Sequence, residues 1–534
     1  MQAEIVFVNG EVVTVDEAFS IQEGAAISGS RILMTGSTDE VMAFADKDTK
    51  VIDLKGRSLL PGFIDAHAHL ELYGTNKLGV NCKDVTGIDD ILSKLKVQAD
   101  KTAEGEWIRG WGYNQNQLGR HLTKWDLDQV STAHPIIVVR TCGHISCVNS
   151  MALDLAGLSN DSADPAGGRY VRNDGELTGV LLESAHMNLF MHAMYSEEEI
   201  RKGLALASDD FLKMGITSVH DAGGYGPSHI RSLHQSVLSK AVKQRVYALY
   251  GSLHESSEMV KKGIESGMMT GLGNEWFKIG PAKVFIDGSS SGPTARTREP
   301  YSSNPNDSGI LYLNQEELNR SLRIAHELGW QITAHAIGDR AVEMMIETIE
   351  CGLENSPVDD HRHRIEHAAM TPKDLLLRMR HSRIVPIPNP AFLYEFGDGY
   401  VHDYGERTQL IFPLNDFVEQ GIPFAIGSDS PITDMNPLLG IYAAVTRRSK
   451  TGEVIGSGQE ISVRDAIRAY TWAGAYASFE ENDKGSIEKG KVADLVVLNE
   501  SILTCDPERL KELTVDLTII DGDSVYSKQK EGVT

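Results

Sequence analysis

Two histidines, His67 and His69, stand two residues apart behind the run Leu60-Pro61-Gly62-Phe63-Ile64-Asp65-Ala66. Further along, His335 sits in Thr-Ala-His-Ala, His367 in Arg-Ile-Glu-His-Ala and Asp429 in Ile-Gly-Ser-Asp-Ser, each at the end of an apolar stretch. Residues two apart on a strand point to the same face, so both imidazoles of the first pair can meet one ion. Alone, such a pair has an ordinary alternative as packed or surface histidines. Taken with the other three residues it forms a set of imidazoles and one carboxylate that suits a divalent transition metal, imidazole favouring zinc and its neighbours.

Such a set must be gathered from distant parts of the chain. Eight apolar segments, at 59–66, 216–220, 245–250, 278–286, 331–336, 364–367, 384–387 and 424–427, alternate with helical stretches. That is the pattern of βα units around a parallel sheet, and eight of them predict an α/β fold built on a (β/α)8 TIM barrel. The candidate ligands all fall at the C-terminal mouth of that barrel, where such folds build their chemistry. The interval between the first two segments is too long for a simple crossover, so residues from about 71 to 212 form an inserted subdomain with its own strand at 136–140. Both ends read as short strands. An Asn9-Gly10 turn between 5–8 and 11–15 predicts a hairpin, because Asn-Gly supplies the positive φ of a tight turn. An Asp521-Gly522 turn follows 517–520 in the same way. A small β-sandwich domain assembled from 1–58 and 486–534 therefore flanks a barrel domain spanning 59–485.

Length and composition exclude several classes. A chain of 534 residues can bury a large core. Its 75 acidic against 51 basic residues, a net charge of −24, argue against a nucleic-acid partner, which needs clustered Lys and Arg. The short basic stretch Arg447-Arg448-Ser449-Lys450 reads as a solvated helix end or loop. The first residues carry neither a basic n-region nor an apolar h-region, and no apolar run approaches the roughly 20 residues that span a bilayer. Five cysteines with no CxxC pairing suit a reducing cytoplasm, mostly as structural thiols. A small molecule is the expected partner, with no nucleic acid and no membrane; a homo-oligomer stays open.

Further motifs extend the pattern: Val8-Asn9-Gly10 with Val13-Thr14, Lys283-Val-Phe-Ile-Asp287-Gly288-Ser289, His335-Ala-Ile-Gly338-Asp339, Gly427-Ser-Asp429, and Gly485-Ser-Ile-Glu-Lys-Gly490-Lys-Val-Ala-Asp494-Leu-Val-Val-Leu. With the segment around His67 and with Arg364-Ile-Glu-His367, the chain resembles the amidohydrolase superfamily over nearly its whole length, and within it the YtcJ-like branch (amidohydrolase family 3). The resemblance implies a metal-dependent hydrolase of amide-type C–N bonds other than peptide bonds: N-acyl, N-formyl, carbamate or cyclic amide. It also implies that Lys283 is carboxylated and bridges two divalent metals, preferably zinc. An ordinary lysine, with a pKa of about 10.4, cannot ligate, whereas its carbamate is an anion with two oxygens. A Lys283 paired with Asp287 or another acid is the alternative, and Lys278 is a nearby competitor for the role.

On that resemblance His67, His69 and Asp429 hold one metal, and His335 and His367 the other. A metal-bridging hydroxide attacks the carbonyl, while Asp429 acts as general base and then as acid toward the leaving nitrogen. Weaker substrate-binding candidates are His144, which follows Cys142-Gly143 where the branch favours Asp-Gly, together with His220, Asp221 and Trp111. Tyr113 and Asn114 can wall the same pocket. The chain departs from the branch again at Ser291-Gly292-Pro293-Thr294-Ala295 and at Pro388-Asn389-Pro390-Ala391, which touches the substrate pocket rather than the metal set. Two rivals remain: a mononuclear deaminase of an amino-heterocycle, without the bridging lysine, and a non-catalytic binding or regulatory protein on the same fold.

Overall fold

The computed structural model describes residues 2–83 and 85–528. Seven parallel strands lie side by side in chain order: Phe63–Ala68, Ile216–Asp221, Arg245–Tyr250, Phe277–Phe285, Ile332–Ala336, Arg364–His367 and Val385–Ile387. They are apolar on both faces because helices cover the outside and side chains fill the inside, which is the usual condition of a parallel sheet. The eighth predicted strand is different. Residues 424–427 form no ladder, yet they close the ring. The N–H groups of Ala425 and Gly427 donate to the carbonyls of Pro386 and Pro388 at 3.3 and 3.2 Å. On the other side the N–H groups of Ala66 and Asp429 donate to the carbonyls of Ile426 and His67 at 3.1 and 2.6 Å. The segment is drawn in too close for a regular ladder: a Cβ on Gly427 would lie 2.5 Å from His67 Cβ.

The first predicted strand is two strands. Ser58–Pro61 belongs to a six-stranded outer sheet, between Glu11–Val13 and Leu495–Leu498, and only Phe63–Ala68 enters the barrel. Gly62 makes the change of direction against the second barrel strand, where a Cβ would fall 2.2 Å from Thr217 Oγ1. A four-stranded sheet of Ile5–Val8, Gly24–Ser28, Arg31–Gly36 and Lys50–Asp53 packs beside it. The predicted N-terminal hairpin does not form. Asn9 does take a positive φ of 53°, but Ile5–Val8 and Glu11–Val13 pass into different sheets, so the turn rounds a sandwich corner. The Asp521-Gly522 turn, with φ of 58° and 84°, does join antiparallel partners, Val515–Ile520 and Asp523–Ser527.

The insertion after barrel strand 1 carries a six-stranded sheet in the order Gly168–Asn173, Glu176–Glu183, Ile145–Val148, Ile136–Arg140, Ile108–Tyr113, Val80–Asn81. It is tied to the barrel where helix Leu70–Asn76, which starts directly after His69, crosses helix Glu197–Lys213. The crossing is at Gly74 and Gly203, and a Cβ on Gly74 would stand 2.1 Å from the Gly203 carbonyl oxygen. Backbone cannot step aside as a flexible side chain can. Gly74→Ala should therefore cost about 1–3 kcal/mol of unfolding free energy in a urea titration; an unchanged midpoint would mean that the helices slide apart freely.

The basic stretch at 447–450 is not simply solvated. Arg447 is fully buried and its guanidinium donates to the carbonyls of Ile411, Phe412 and Ile455. All five cysteines are free. Among the described residues no helix is long and apolar enough to cross a membrane.

Candidate metal centre

Barrel strand 1 buries Asp65 and His67 on one face, and His69 lies one residue past its end, as the residue preceding helix Leu70–Asn76. The two imidazoles still approach, with ring centroids 5.4 Å apart. His67 lies 4.8 Å from the ring of His367, and His367 lies 4.6 Å from that of His335. Asp429 completes the gathering: its Oδ1 stands 3.3 Å from Nε2 of both His67 and His69. One nitrogen each of His67 and His367 and one oxygen of Asp429 lie within 4.8 Å of one another. His367 and Asp429 are held in the left-handed region, with φ of 69° and 56°. Two non-glycine residues in that region, one ending the sixth barrel strand and one just past the closing segment, mark a place where position outweighs local strain.

The remaining ring nitrogens decide what the cluster can hold. His67 Nδ1 faces Glu366 Oε2 at 2.5 Å, His69 Nδ1 the Gly223 carbonyl at 2.6 Å, and His367 Nδ1 the Asn389 Oδ1 at 2.7 Å. Each of these partners accepts, so each ring carries its proton on Nδ1 and turns a bare Nε2 lone pair inward. His67 Nε2 is buried with no hydrogen-bond partner. Burial holds the pKa of His367 down to about 3 and that of His69 below its usual value, with Asp429 opposing in both cases. Asp429 stays well below the usual carboxylate range: burial opposes ionisation, but His67 and His69 outweigh it. An imidazole whose Nδ1 proton is taken by an outer acceptor has Nε2 available to a cation, and Asp429 adds an anionic oxygen beside it. The donor set therefore fits a divalent metal.

Outer partners are equally fixed. Glu366 accepts from Thr333 Oγ1 at 2.8 Å and from Arg364 Nε and Nη2 at 2.9 Å, and Arg364 also donates to the Ala66 carbonyl at 2.8 Å. Asn389 Nδ2 donates to the Gly427 carbonyl. Asp65 accepts from the N–H and hydroxyl of Ser428, anchoring the loop that carries Asp429. Such partners orient ligand rings and fix their tautomers.

Lys283 is fully buried beside this cluster, and its ammonium donates to the Ala222 carbonyl at 2.8 Å. It forms no ion pair among the described residues. Burial brings its pKa down to about 8, against the opposing pull of Glu366, Asp429 and Asp221. Asp287 is not its partner: the carboxylate accepts the backbone N–H groups of Arg296, Ile337 and Gly338. Lys278 points to Glu480 instead, at 2.7 Å.

The weaker candidates separate. His144 reaches the mouth, its ring 5.5 Å from that of His335, with Nδ1 on Glu183 at 2.7 Å. Burial would lower its pKa, but Glu183 raises it to about 9. Tyr312 and Thr294 also donate to Glu183. His220 accepts from Arg364 and packs on Tyr247. Asp221 is committed to His229 at 2.6 Å, and His229 to Glu71. Trp111 and Asn114 line an open groove of the insertion, whereas Tyr113 is core, hydroxyl to His121 and Cys147. Sequence reading gave no role to Glu366, Asp65 or Glu183, and placed Asn389 only in a segment that touches the substrate pocket. The one available signal was the pair of charges, Arg364 and Glu366, alternating on a strand that must be buried.

Against known proteins, residues 50–526 match the model of the amidohydrolase family. The chain is 31% identical over 531 residues to the Bacillus subtilis protein YtcJ, named as an amidohydrolase, covering 97% of this chain and 98% of that one. It is 27% identical over 540 residues to the N-substituted formamide deformylase of Arthrobacter pascens, covering 98% of each. A solved metal-dependent hydrolase of Pyrococcus furiosus superposes with a TM-score of 0.73 at 27% identity, covering 94% of this chain and 99% of that one.

Proposed function

The chain belongs to the amidohydrolase family, and from that premise we propose that it hydrolyses an N-acyl, N-formyl, carbamate or cyclic-amide C–N bond of a small molecule at the cluster of His67, His69, His335, His367 and Asp429. One observation carries the reading: Nε2 of His67 and of His69 both stand 3.3 Å from Asp429 Oδ1, while the Nδ1 atoms of both rings are engaged by outer acceptors. The formamide deformylase relative supports the choice of bond.

His67, His69 and Asp429 would hold one divalent ion, preferably zinc, and His335 and His367 a second, with a carboxylated Lys283 between them. Bound there, such ions polarise a carbonyl and lower the pKa of water from about 15.7 to near 7. The chain's own groups do the rest. Asp429 takes a proton from the attacking water as the C–O bond forms, and returns it to the nitrogen as the C–N bond breaks. His144, kept protonated by Glu183, has Nε2 left to donate to the substrate's carbonyl oxygen. Glu366 and Asn389 keep the rings of His67 and His367 aimed throughout.

A second reading has its own support. The tightest donor group, His67, His367 and Asp429, is of a size for one ion, and the Lys283 ammonium is already held by Ala222. That arrangement suits a mononuclear deaminase of an amino-heterocycle. Metal content and the intact mass of the protein separate the two. Two ions per chain and the added mass of CO2, lost in Lys283→Ala, are expected; one ion and an unmodified lysine would select the deaminase. Dialysis against a chelator should abolish turnover of N-formyl and N-acyl substrates, and zinc should restore it. Turnover that survives full metal removal would sink both readings.

A further inference from the structure

The rings of His67 and His367 are aimed by the side chains of Glu366 and Asn389, but that of His69 has only a loop carbonyl. Its Nδ1 meets the Gly223 carbonyl at 2.6 Å, and the preceding carbonyl, that of Ala222, accepts from the Lys283 ammonium at 2.8 Å. Two groups of the centre thus hang on one turn, just past barrel strand Ile216–Asp221. Gly223 takes a φ of 101°, a conformation that suits glycine. A carbonyl on such a turn is only as well placed as the turn itself.

A chain of buried charges grips this turn. Asp221 accepts the N–H groups of Gly223 and of Leu70, the residue after His69, both at 3.1 Å. His229 donates through Nε2 to the same carboxylate at 2.6 Å, and its Nδ1 stands 2.6 Å from Glu71 Oε2. All three side chains are buried. A ring placed between two carboxylates keeps both protons, so His229 is an imidazolium with charge to offer on each side. Burial would lower its pKa, but Asp221 and Glu71 raise it to about 10. Gly224 leaves the pair its space: a Cβ there would lie 2.1 Å from Glu71 Oε2 and 2.6 Å from His229 Nδ1.

This cation does not serve its own helix. His229 is the third residue of helix Pro227–Leu238, where the N-terminal end of the helix dipole disfavours positive charge. Burying three ionised groups also seldom stabilises a fold more than apolar packing would. What the group does is join two segments that carry the centre. Glu71 belongs to the helix that starts after His69, and Asp221 ends the strand that leads into the turn.

We infer that His229 is a positioning residue of the metal centre: by clamping Asp221 to Glu71 it fixes the Ala222–Gly223 turn, so that one carbonyl aims the His69 ring and the other holds Lys283. The inference rests on the metal-centre reading above and holds for one ion or two. His229 acts only through the turn.

Zinc affinity, measured by competition with a chromophoric chelator, tests this without turnover. His229→Gln should weaken zinc binding by about 10–100-fold, the usual scale for loss of a group that orients a metal ligand. In the cobalt-loaded protein the visible bands, which follow ligand geometry, should shift from those of the parent. Glu71→Gln keeps the shape and removes one charge; it should weaken zinc several-fold, and it stands in should His229→Gln fail to fold. His326→Gln is the control for loss of stability alone. His326 is also buried, but its ring is held by His363 and the Ser356 carbonyl at the opposite end of the barrel. This variant should lower the urea midpoint yet keep zinc affinity within about threefold of the parent, as for distant sites that share no partner. A parent-like zinc affinity and cobalt spectrum in His229→Gln, or in Glu71→Gln where only that variant folds, would overturn the inference. An equal loss of affinity in His326→Gln would trace the effect to stability and overturn it too. If the parent binds zinc no better than His67→Ala does, the metal-centre reading itself falls and takes this inference with it.

Discussion

Asp429→Asn should cut kcat/KM by about 10²–10⁴-fold, the usual scale for loss of a positioned general base, while leaving the fold untouched. The structural half follows from the backbone. Asp429 sits at φ 56°, and Asn is among the few residues that share Asp's tolerance of that region. Its N–H bond to the His67 carbonyl is also kept. The loss is therefore chemical: an amide cannot carry a proton from water to the leaving nitrogen. The amide also replaces an anion facing two bare imidazole nitrogens by a neutral group, so metal content should be measured alongside activity. A variant that keeps its metal and works within a few-fold of the parent would remove Asp429 from the reaction.

The second large effect lies one layer out. Glu366→Leu should cost about 3–5 kcal/mol of stability, because it leaves the Arg364 guanidinium fully buried without its carboxylate. Urea unfolding measures this directly. The same change should weaken metal binding by about 10–100-fold, since His67 loses the partner that fixes its Nδ1 proton and its ring angle. The two consequences can be separated. In the double variant Arg364→Met with Glu366→Leu, the stranded charge is gone, so stability should largely return while metal affinity stays low. Recovery of both together would show that Glu366 serves the core alone.

Much of this centre was legible in sequence for a specific reason. A parallel barrel puts its chemistry at strand ends, so His67, His335, His367 and Asp429 could be read as neighbours from the period of the apolar segments. Each lies within a residue or two of the end of a strand or of the closing segment. What escaped was whatever depends on tertiary choice of partner. Glu366 is 299 residues from His67, and nothing local distinguishes it from any other glutamate in a strand. Arg447 sat in a basic run that looked solvated, but burial beneath Ile411, Phe412 and Ile455 is set by distant backbone. Asn9-Gly10 supplied the expected positive φ, yet the turn chemistry says only that the chain bends, not which strands pair afterwards. The irregular closure at 424–427 likewise follows from crowding between Gly427 and His67, which no propensity encodes.

Ser58–Pro61 runs through Gly62 into the strand that carries His67, and its neighbours in the outer sheet are Glu11–Val13 on one side and Leu495–Leu498 on the other. During synthesis the first of those neighbours emerges early and the second only after more than four hundred further residues. Until then Ser58–Pro61 is an exposed edge, open to pairing with another nascent chain. The ribosome thus holds a half-built sheet while the whole barrel is made. Yield in the cell should then depend on translation speed and on holding chaperones, more than the stability of the finished protein would suggest.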